Sequence, residues 1–485
     1  MLDPDRNDPA TPALEIVVLP PRRHTFVLAL ALATLAALPA AAPASPRQVV
    51  AFEAPRELLD FGERDRTLDE IRGFGVTQVR QLVYWRDFAP RPNAKRKPRG
   101  FDAADPASYP GHTWVRLDQL VQGAAGRGIK VHLNLTGPVP RWATKSRKDN
   151  VTRPSPGEFR AWATAVGRRY GAEVETWSIW NEPNQPQFLK PQYRKGEPYS
   201  PGLYRRLYQV GVQGLKRTAA NRGDTYLLGE TSPRGNSKVV FPLDFFRRML
   251  CLDRSYRKTR KCGALDTDGY AHHAYTTAKG PRFVPHDSRD VTLGVLSRLE
   301  RALDRAGKAR ALPRGLPVYL TEFGIQSRPD RIQGVSFPKQ AAYLSIAEHM
   351  AYVNPRVRSF SQYLMSDDQP RASELNRYAG FESGLRTSKG RKKPAYKAFR
   401  LPLAVENYGR TDVLWGLVRQ HRQATRVRIE IDPAGKKGWR KLADVQTTGT
   451  GVYSLRATRR KGQRYRVKWT APGGNRYTGA SVRAY

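Results

Sequence analysis

Cysteine is nearly absent: the 485 residues contain only Cys251 and Cys262. No histidine stands near the pair, which argues against a metal site there. A close pair in an exported chain most often forms a disulfide, here closing the Arg- and Lys-rich stretch Leu252–Lys261. No other grouping of His, Asp and Cys has ligand spacing, and no glycine-rich phosphate loop occurs, so neither metal nor organic cofactor is expected. Internal repeats are lacking. Long apolar runs are lacking too, except near the N-terminus. There Arg22 and Arg23 precede Phe26–Leu38, and Ala42-Pro-Ala44 offers small residues for cleavage. The run is short for a membrane span and ends at Pro39, so residues 1–45 read as a signal peptide with an N-terminal extension. No stable transmembrane span is expected after cleavage, and the mature protein is expected to be secreted.

Negative charge is scarce. There are 43 Asp and Glu against 84 Lys and Arg, a formal net charge of +41. The excess is uneven: Arg386–Tyr485 holds 25 basic against 5 acidic residues. Such a field attracts polyanions, and an anionic cell-wall polymer held by residues 403–485 is one candidate partner. The bland alternative is an Arg-rich composition with no specific ligand. An exported chain without an RNA- or DNA-binding motif is not expected to bind nucleic acid. Hydrophobic residues make up 39% of the chain and aromatics 10%, enough for a sizeable core.

What is present alternates. Strand-like runs at Gln48–Ala54, Val76–Trp85, Ile129–Leu135, Val174–Trp180, Thr225–Gly229, Gly269–Tyr275, Val318–Thr321 and Val357–Leu364 are separated by helical segments from Arg64–Phe74 to Pro338–Tyr352. Eight strands in βα units are the count for an α/β fold of the (β/α)8 TIM-barrel type, placed at residues 46–402 and closed by a short helix at Pro394–Phe399. The Pro-, Arg- and Asp-rich insertion Arg86–Gly111 is expected to be a loop over the active face. After Pro402, six short runs with Gly and Asp-Pro turns predict a small, basic all-β sandwich of the immunoglobulin or fibronectin III kind at 403–485. In Arg426–Ile431 and Arg464–Trp469 charge alternates with apolar side chains, which sets one face in a core and the other in solvent.

Two carboxylates stand out. Glu182 lies in Trp177-Ser-Ile-Trp-Asn-Glu-Pro-Asn184 and Glu322 in Val318-Tyr-Leu-Thr-Glu-Phe-Gly324, each where an apolar strand passes into a loop. Parallel strands of a barrel present such ends on the active face. A carboxyl pair across that mouth is the minimum apparatus for glycoside hydrolysis. The acid must be kept protonated by apolar surroundings or a second carboxylate, for which Trp177 and Trp180 offer a low-dielectric wall. The nucleophile must stay ionised, and Arg80 and Tyr275 are candidates to hold it so. Trp85, Trp142 and Phe323 are candidates for a sugar-stacking platform, with simple barrel core as the alternative. His132, His272 and His273 are open between polar packing and substrate contact.

The Asn-Glu-Pro of the fourth strand and the Thr-Glu-Phe-Gly of the seventh resemble the clan A retaining glycoside hydrolases, nearest to the cellulase-like family 5 and the xylosidase/iduronidase-like family 39. The resemblance covers roughly residues 48–400. It implies Glu182 as general acid/base, Glu322 as nucleophile, Asn181 as partner of the sugar 2-hydroxyl, and Tyr275 of His273-Ala-Tyr275 in contact with the nucleophile. His132 falls where such enzymes often keep a substrate-contacting residue. The family often carries Trp on the eighth strand; here Ser361-Gln-Tyr-Leu-Met-Ser-Asp367 offers Tyr363 instead, with Asp367 at the later acidic position. The expected substrate is a carbohydrate, and Arg141, Lys145, Arg147 and Lys148 hint that it is acidic. A non-catalytic glycan- or wall-polymer-binding protein on a barrel scaffold is the competing reading.

Overall fold

A computed structural model describes residues 45, 47–259, 262–372, 377–378, 380–433 and 438–484. The signal segment expected at residues 1–45 lies outside them, Ser45 excepted. Eight parallel strands close into a barrel in chain order. They are β1 (Val49–Glu53), β2 (Gln78–Tyr84), β3 (Lys130–Thr136), β4 (Thr176–Ile179), β5 (Thr225–Thr231), β6 (Gly269–His273), β7 (Val318–Phe323) and β8 (Val357–Tyr363). Closure is by β1 on β8, from Val49 opposite Ser359 to Glu53 opposite Tyr363. In β2, Val79 and Val83 join the apolar layer under the helices, while Arg80 between them points into the barrel. That alternation carries buried polar side chains to the rim.

The outer helices used below are α1 (Arg64–Gly73), α2 (Val115–Ala125), α3 (Pro156–Tyr170), α4 (Ser200–Leu215), α5 (Pro242–Met249), α6 (Ser297–Lys308), α7 (Phe337–Tyr352) and α8 (Pro394–Arg400). Helix α3 shows why they start where they do. Ser155 caps it by accepting from the Glu158 backbone N–H, and Pro156 occupies the first turn, where no N–H is needed.

Beyond α8 the described residues form seven antiparallel strands, one more than expected. They are β9 (Leu403–Tyr408), β10 (Thr411–Leu417), β11 (Arg426–Asp432), β12 (Arg440–Gln446), β13 (Val452–Thr458), β14 (Arg464–Thr470) and β15 (Arg476–Thr478). They form a three-stranded sheet β9-β10-β13 and a four-stranded sheet β12-β11-β14-β15. Val405, Leu414, Ile429, Tyr453, Val467 and Trp469 pack between them, and Ala341, Ala342, Ala398 and Leu401 from α7 and the α8 end share that core. The sandwich therefore rests on the barrel's own helices. Arg419 locks the contact, with its guanidinium forked onto Glu348 of α7 at 2.6 Å to each oxygen and bonded to the Phe399 carbonyl. Gly75, left-handed at φ 78°, lets the chain turn under this contact, where a Cβ would stand 2.7 Å from the Arg419 carbonyl oxygen.

Candidate active site

The C-terminal rim of the barrel gathers four carboxyl groups and two cations. Glu53 ends β1, Arg80 is the third residue of β2, Glu230 the sixth of β5, His273 the last of β6, and Glu322 the penultimate residue of β7. Glu182 follows β4 by three residues. Trp180, Glu182 and Glu230 have left-handed backbones at φ 69°, 36° and 50°. Non-glycine residues hold such angles only where the surroundings over-determine them, which is common at functional sites. At Glu230 the cause is visible. Gly229 pairs with Ala271 and Thr231 with His272, so Glu230 is the extra residue of a β-bulge.

Hydrogen bonds tie the six groups together. Arg80 donates through Nη1 to Glu322 Oε1 at 2.8 Å and to Glu53, and through Nη2 to Asn181 Oδ1 at 2.9 Å and Glu230 Oε2 at 3.1 Å. Tyr275 donates its hydroxyl to Glu322 Oε2 at 3.1 Å. His273 bridges two carboxylates, with Nδ1 2.9 Å from Glu182 Oε1 and Nε2 2.8 Å from Glu230 Oε2. Thr321 donates to Glu230 at 2.6 Å. Glu182 is the most exposed of the four carboxyl side chains at 14%, against 6% for Glu322 and none for Glu53 and Glu230.

Electrostatics sorts the carboxyls. Burial pushes Glu53 up to about 8, outweighing its neighbour Arg80. Burial also raises Glu182, against the lowering effect of His273. For Glu230 burial is overcome by Arg80 and His273, which hold it well below the usual carboxylate range. Burial opposes charge on His273 as well, yet Glu322, Glu182 and Glu230 together raise it to about 10, so it is an imidazolium donating from both nitrogens. Glu322 accepts from Arg80 and from Tyr275. Burial thus raises Glu53 and Glu182, while cations hold Glu230 low.

Glu182, His273 and Glu322 also bring three potential ligand atoms within 4.8 Å. Both ring nitrogens of His273 are engaged by carboxylates, and Arg80 lies 2.8 Å from Glu322, so a cation would meet an imidazolium and a guanidinium. The donor set suits an ion-pair cluster better than a metal.

Among the residues singled out in the sequence, Arg80, Asn181, Glu182, His273, Tyr275 and Glu322 converge here. Tyr363 stands at the rim with its ring 6.3 Å from that of Tyr275. His132 sits deeper, 2.9 Å from Ser178 Oγ and 2% exposed, and burial lowers it to about 3, so it is neutral packing rather than a substrate contact. His272 is likewise buried between Thr231 and the Val291 carbonyl. The expected stacking platform is corrected. Trp85 is wholly buried, packed against Trp142, Phe159 and Trp162 beneath the helices, because the chain turns outward into a single helical turn at the end of β2. Trp142 is held in the same cluster with its indole N–H on the Pro90 carbonyl. Phe323 is core, and Trp177 and Trp180 point to the helix layer, bonded to Asp224 and to the Phe188 carbonyl. The low-dielectric wall is the barrel itself. Asp367 is engaged by the buried Lys393. The Cys251–Cys262 disulfide is formed, and residues 260 and 261 of its loop lie outside the described ones.

Glu53, Glu230, Thr321 and Phe381 belong to the site without standing out in the sequence. Glu53 has a signal, a lone acid ending the apolar run Val49–Phe52. Glu230 has one in Gly-Glu-Thr at a strand end. Phe381 has none: it returns from a loop to stand 4.9 Å from the Tyr363 ring and 5.8 Å from that of Tyr275, and it is 37% exposed.

No protein-family model and no curated protein matches the chain. Solved structures do. A monomeric β-xylosidase from Caulobacter crescentus CB15 is similar over 87% of this chain and 95% of its own, with a TM-score of 0.50 and 15% identity. The chain shares that protein's fold. A family 39 glycoside hydrolase from the gut symbiont Bacteroides cellulosilyticus WH2 is similar over 87% of this chain and 81% of its own, with a TM-score of 0.49 and 17% identity.

Proposed function

We propose that this protein is a secreted glycoside hydrolase that cleaves O-glycosidic bonds of a polysaccharide or oligosaccharide with retention of configuration. The observation that carries the reading is the pair Glu182 and Glu322, with a carboxylate oxygen of each within 4.8 Å of the other. Retaining enzymes hold their carboxyls about 5–5.5 Å apart, whereas inverting ones leave about 6.5–9.5 Å for a water. In the first step Glu182 gives its proton to the glycosidic oxygen while Glu322 attacks the anomeric carbon. The C–O bond breaks, the alcohol leaves, and a glycosyl ester forms on Glu322. In the second step the Glu182 carboxylate takes a proton from water, the resulting oxygen nucleophile displaces Glu322, and Glu182 is an acid again.

The surroundings suit this cycle. His273, charged throughout, stabilises the Glu182 anion that exists between the steps. Arg80 and Tyr275 orient Glu322 and moderate its charge. Arg80 holds Asn181 by its amide oxygen, leaving the amide nitrogen to donate to a sugar hydroxyl. Tyr363 and Phe381 offer the aromatic face at the rim against which a pyranose can lie. A non-catalytic binding protein would have no use for this division into acid and anion. The experiment is sugar release from a panel of neutral and uronic-acid polysaccharides and aryl glycosides by wild type and Glu322→Gly, with and without azide. Turnover by wild type, loss in the variant and rescue as an inverted glycosyl azide are expected. Absence of wild-type turnover on every substrate would sink the reading.

A further inference from the structure

A second site lies away from the catalytic rim, where the closing helix α8 meets the four-stranded sheet. A groove of about 1170 Å3 opens there, lined among the described residues by eight Lys or Arg side chains and no Asp or Glu. Lys392, Lys397 and Arg400 come from the α8 side, and Arg464, Arg466 and Arg476 from β14 and β15. Some cations of the barrel are matched by acids, as in Arg127 with Asp69, Arg169 with Asp118 and Arg356 with Asp304. In the groove Lys392, Lys397, Arg400 and Arg476 make no ion pair among the described residues. Converging like charges oppose one another, so the arrangement stores an attraction for an anion.

The aromatic rings of the groove narrow the kind of anion. The Trp439 ring is capped by Arg466 at 4.2 Å and Arg464 at 5.8 Å. Tyr396 is capped by Lys392 at 4.5 Å and Arg400 at 5.0 Å, and Arg400 also lies 5.4 Å from Tyr477. The other neighbour of Tyr477 is Trp469, stacked at 5.5 Å. These rings hold cations in place instead of offering bare faces, so stacked bases of a single-stranded nucleic acid find no platform. Arg464 is already bonded to Asp432 and Arg466 to Glu430 at 2.6 Å, whereas the Arg400 guanidinium, held over Tyr396 and Tyr477, presents a fork that suits a planar carboxylate. At one end Lys393 pairs with Asp367, four residues past Tyr363, which sets the groove beside a loop of the catalytic rim.

We propose that this groove is a binding site for a carboxylate-bearing sugar polymer, a chain of uronic acids. The groove gives a definite location to the anion attraction expected of residues 403–485 and shares it with the barrel. The choice of a sugar polymer rests on the glycosidase reading of the rim; the site's preference for polycarboxylate does not.

The test uses the full chain with a hexamer of galacturonic acid titrated calorimetrically at about 150 mM salt, where exposed charges beyond ~8 Å are screened. A neutral oligosaccharide of equal length and single-stranded DNA serve as comparisons. The paired reversal Lys397→Glu with Arg476→Glu is expected to weaken hexamer binding by at least about tenfold. Reversal of two exposed cations elsewhere, Arg222→Glu with Lys308→Glu, changes net charge equally and is expected to shift it by less than about twofold. Equal loss in both pairs would reduce the effect to overall charge and overturn the site. Tighter binding of DNA, or no binding of the hexamer, would also overturn it. Turnover of a small aryl glycoside, measured in parallel, reports the catalytic reading independently and is expected to be the same in both paired variants.

Discussion

Replacing Glu53 with Gln should change the pH dependence of stability far more than stability itself. Glu53 has no exposed surface, and burial lifts it from an ordinary 4.5 to about 8. An acid whose folded pKa is raised keeps its proton in the folded state and loses it in the unfolded one. Between about 4.5 and 8 the folded protein therefore binds more protons, and stability falls as pH rises. The slope is about 1.4 kcal/mol per pH unit, reaching a ceiling of about 5 kcal/mol by pH 8. His273, raised from 6.5 to about 10, adds a fall of the same sign that starts near 6.5. Glu230, held low, works oppositely, and its contribution is lost as pH falls below about 4.5. Wild type should thus be most stable near pH 4.5, weaken from there towards pH 8, and do so about twice as steeply above pH 6.5. Gln imitates the protonated acid, keeps an oxygen for Arg80 and cannot ionise. At pH 5 Glu53→Gln should cost less than about 1.5 kcal/mol. Above pH 6.5 its stability curve should be roughly half as steep as that of wild type, because only His273 still contributes. Thermal and urea unfolding from pH 4.5 to 8.5 at constant ionic strength measure this. A wild-type curve that is flat or rising between pH 5 and 8 would refute the argument, as would an unchanged slope in the variant.

Further outcomes follow from the same geometry. Trp85→Ala should cost about 3–5 kcal/mol of stability through its cavity while leaving KM for an aryl glycoside unchanged, since the ring never reaches the mouth; a large KM rise in a well-folded variant would contradict its placement. Phe381→Ala, at an exposed position, should change stability by less than about 1 kcal/mol and raise KM several-fold, read from steady-state kinetics. Arg419→Ala should destabilise by about 3–5 kcal/mol because Glu348 is left buried and unpaired, whereas Arg419→Met with Glu348→Leu should recover most of that loss in denaturant titrations.

The barrel is legible in the sequence because its strands are buried on both faces, so short runs rich in β-branched and aromatic residues between helical segments mark all eight. Glu182 and Glu322 are legible because each carries an unusual neighbourhood at a strand end. Side-chain direction is harder. Trp85 and Glu230 both stand where a strand passes into a loop or bulges, and there the two-residue alternation stops predicting which layer a side chain enters. A glycine reads as a stop, which ends the fifth strand at Gly229, one residue short of Glu230. Strand β9 escapes the pattern because Leu403–Tyr408 directly follows Pro402 and has no turn before it. Phe381 reaches the rim through a loop whose path no local pattern encodes.

The shared core beneath the sandwich has a consequence for engineering. Ala341, Ala342, Ala398 and Leu401 face β-sheet residues rather than water, and Arg419 touches the chain at Phe74, Glu348 and Phe399. The C-terminal sheets are in this sense a clasp across the barrel's seam, holding its first and last helices together. A shortened chain ending at Pro402 would bare that apolar strip and strand the Glu348 carboxylate, and a grafted replacement would have to supply both a matching surface and an arginine at one fixed point. The two folds have to be treated as a unit in any chimera made by cutting and joining.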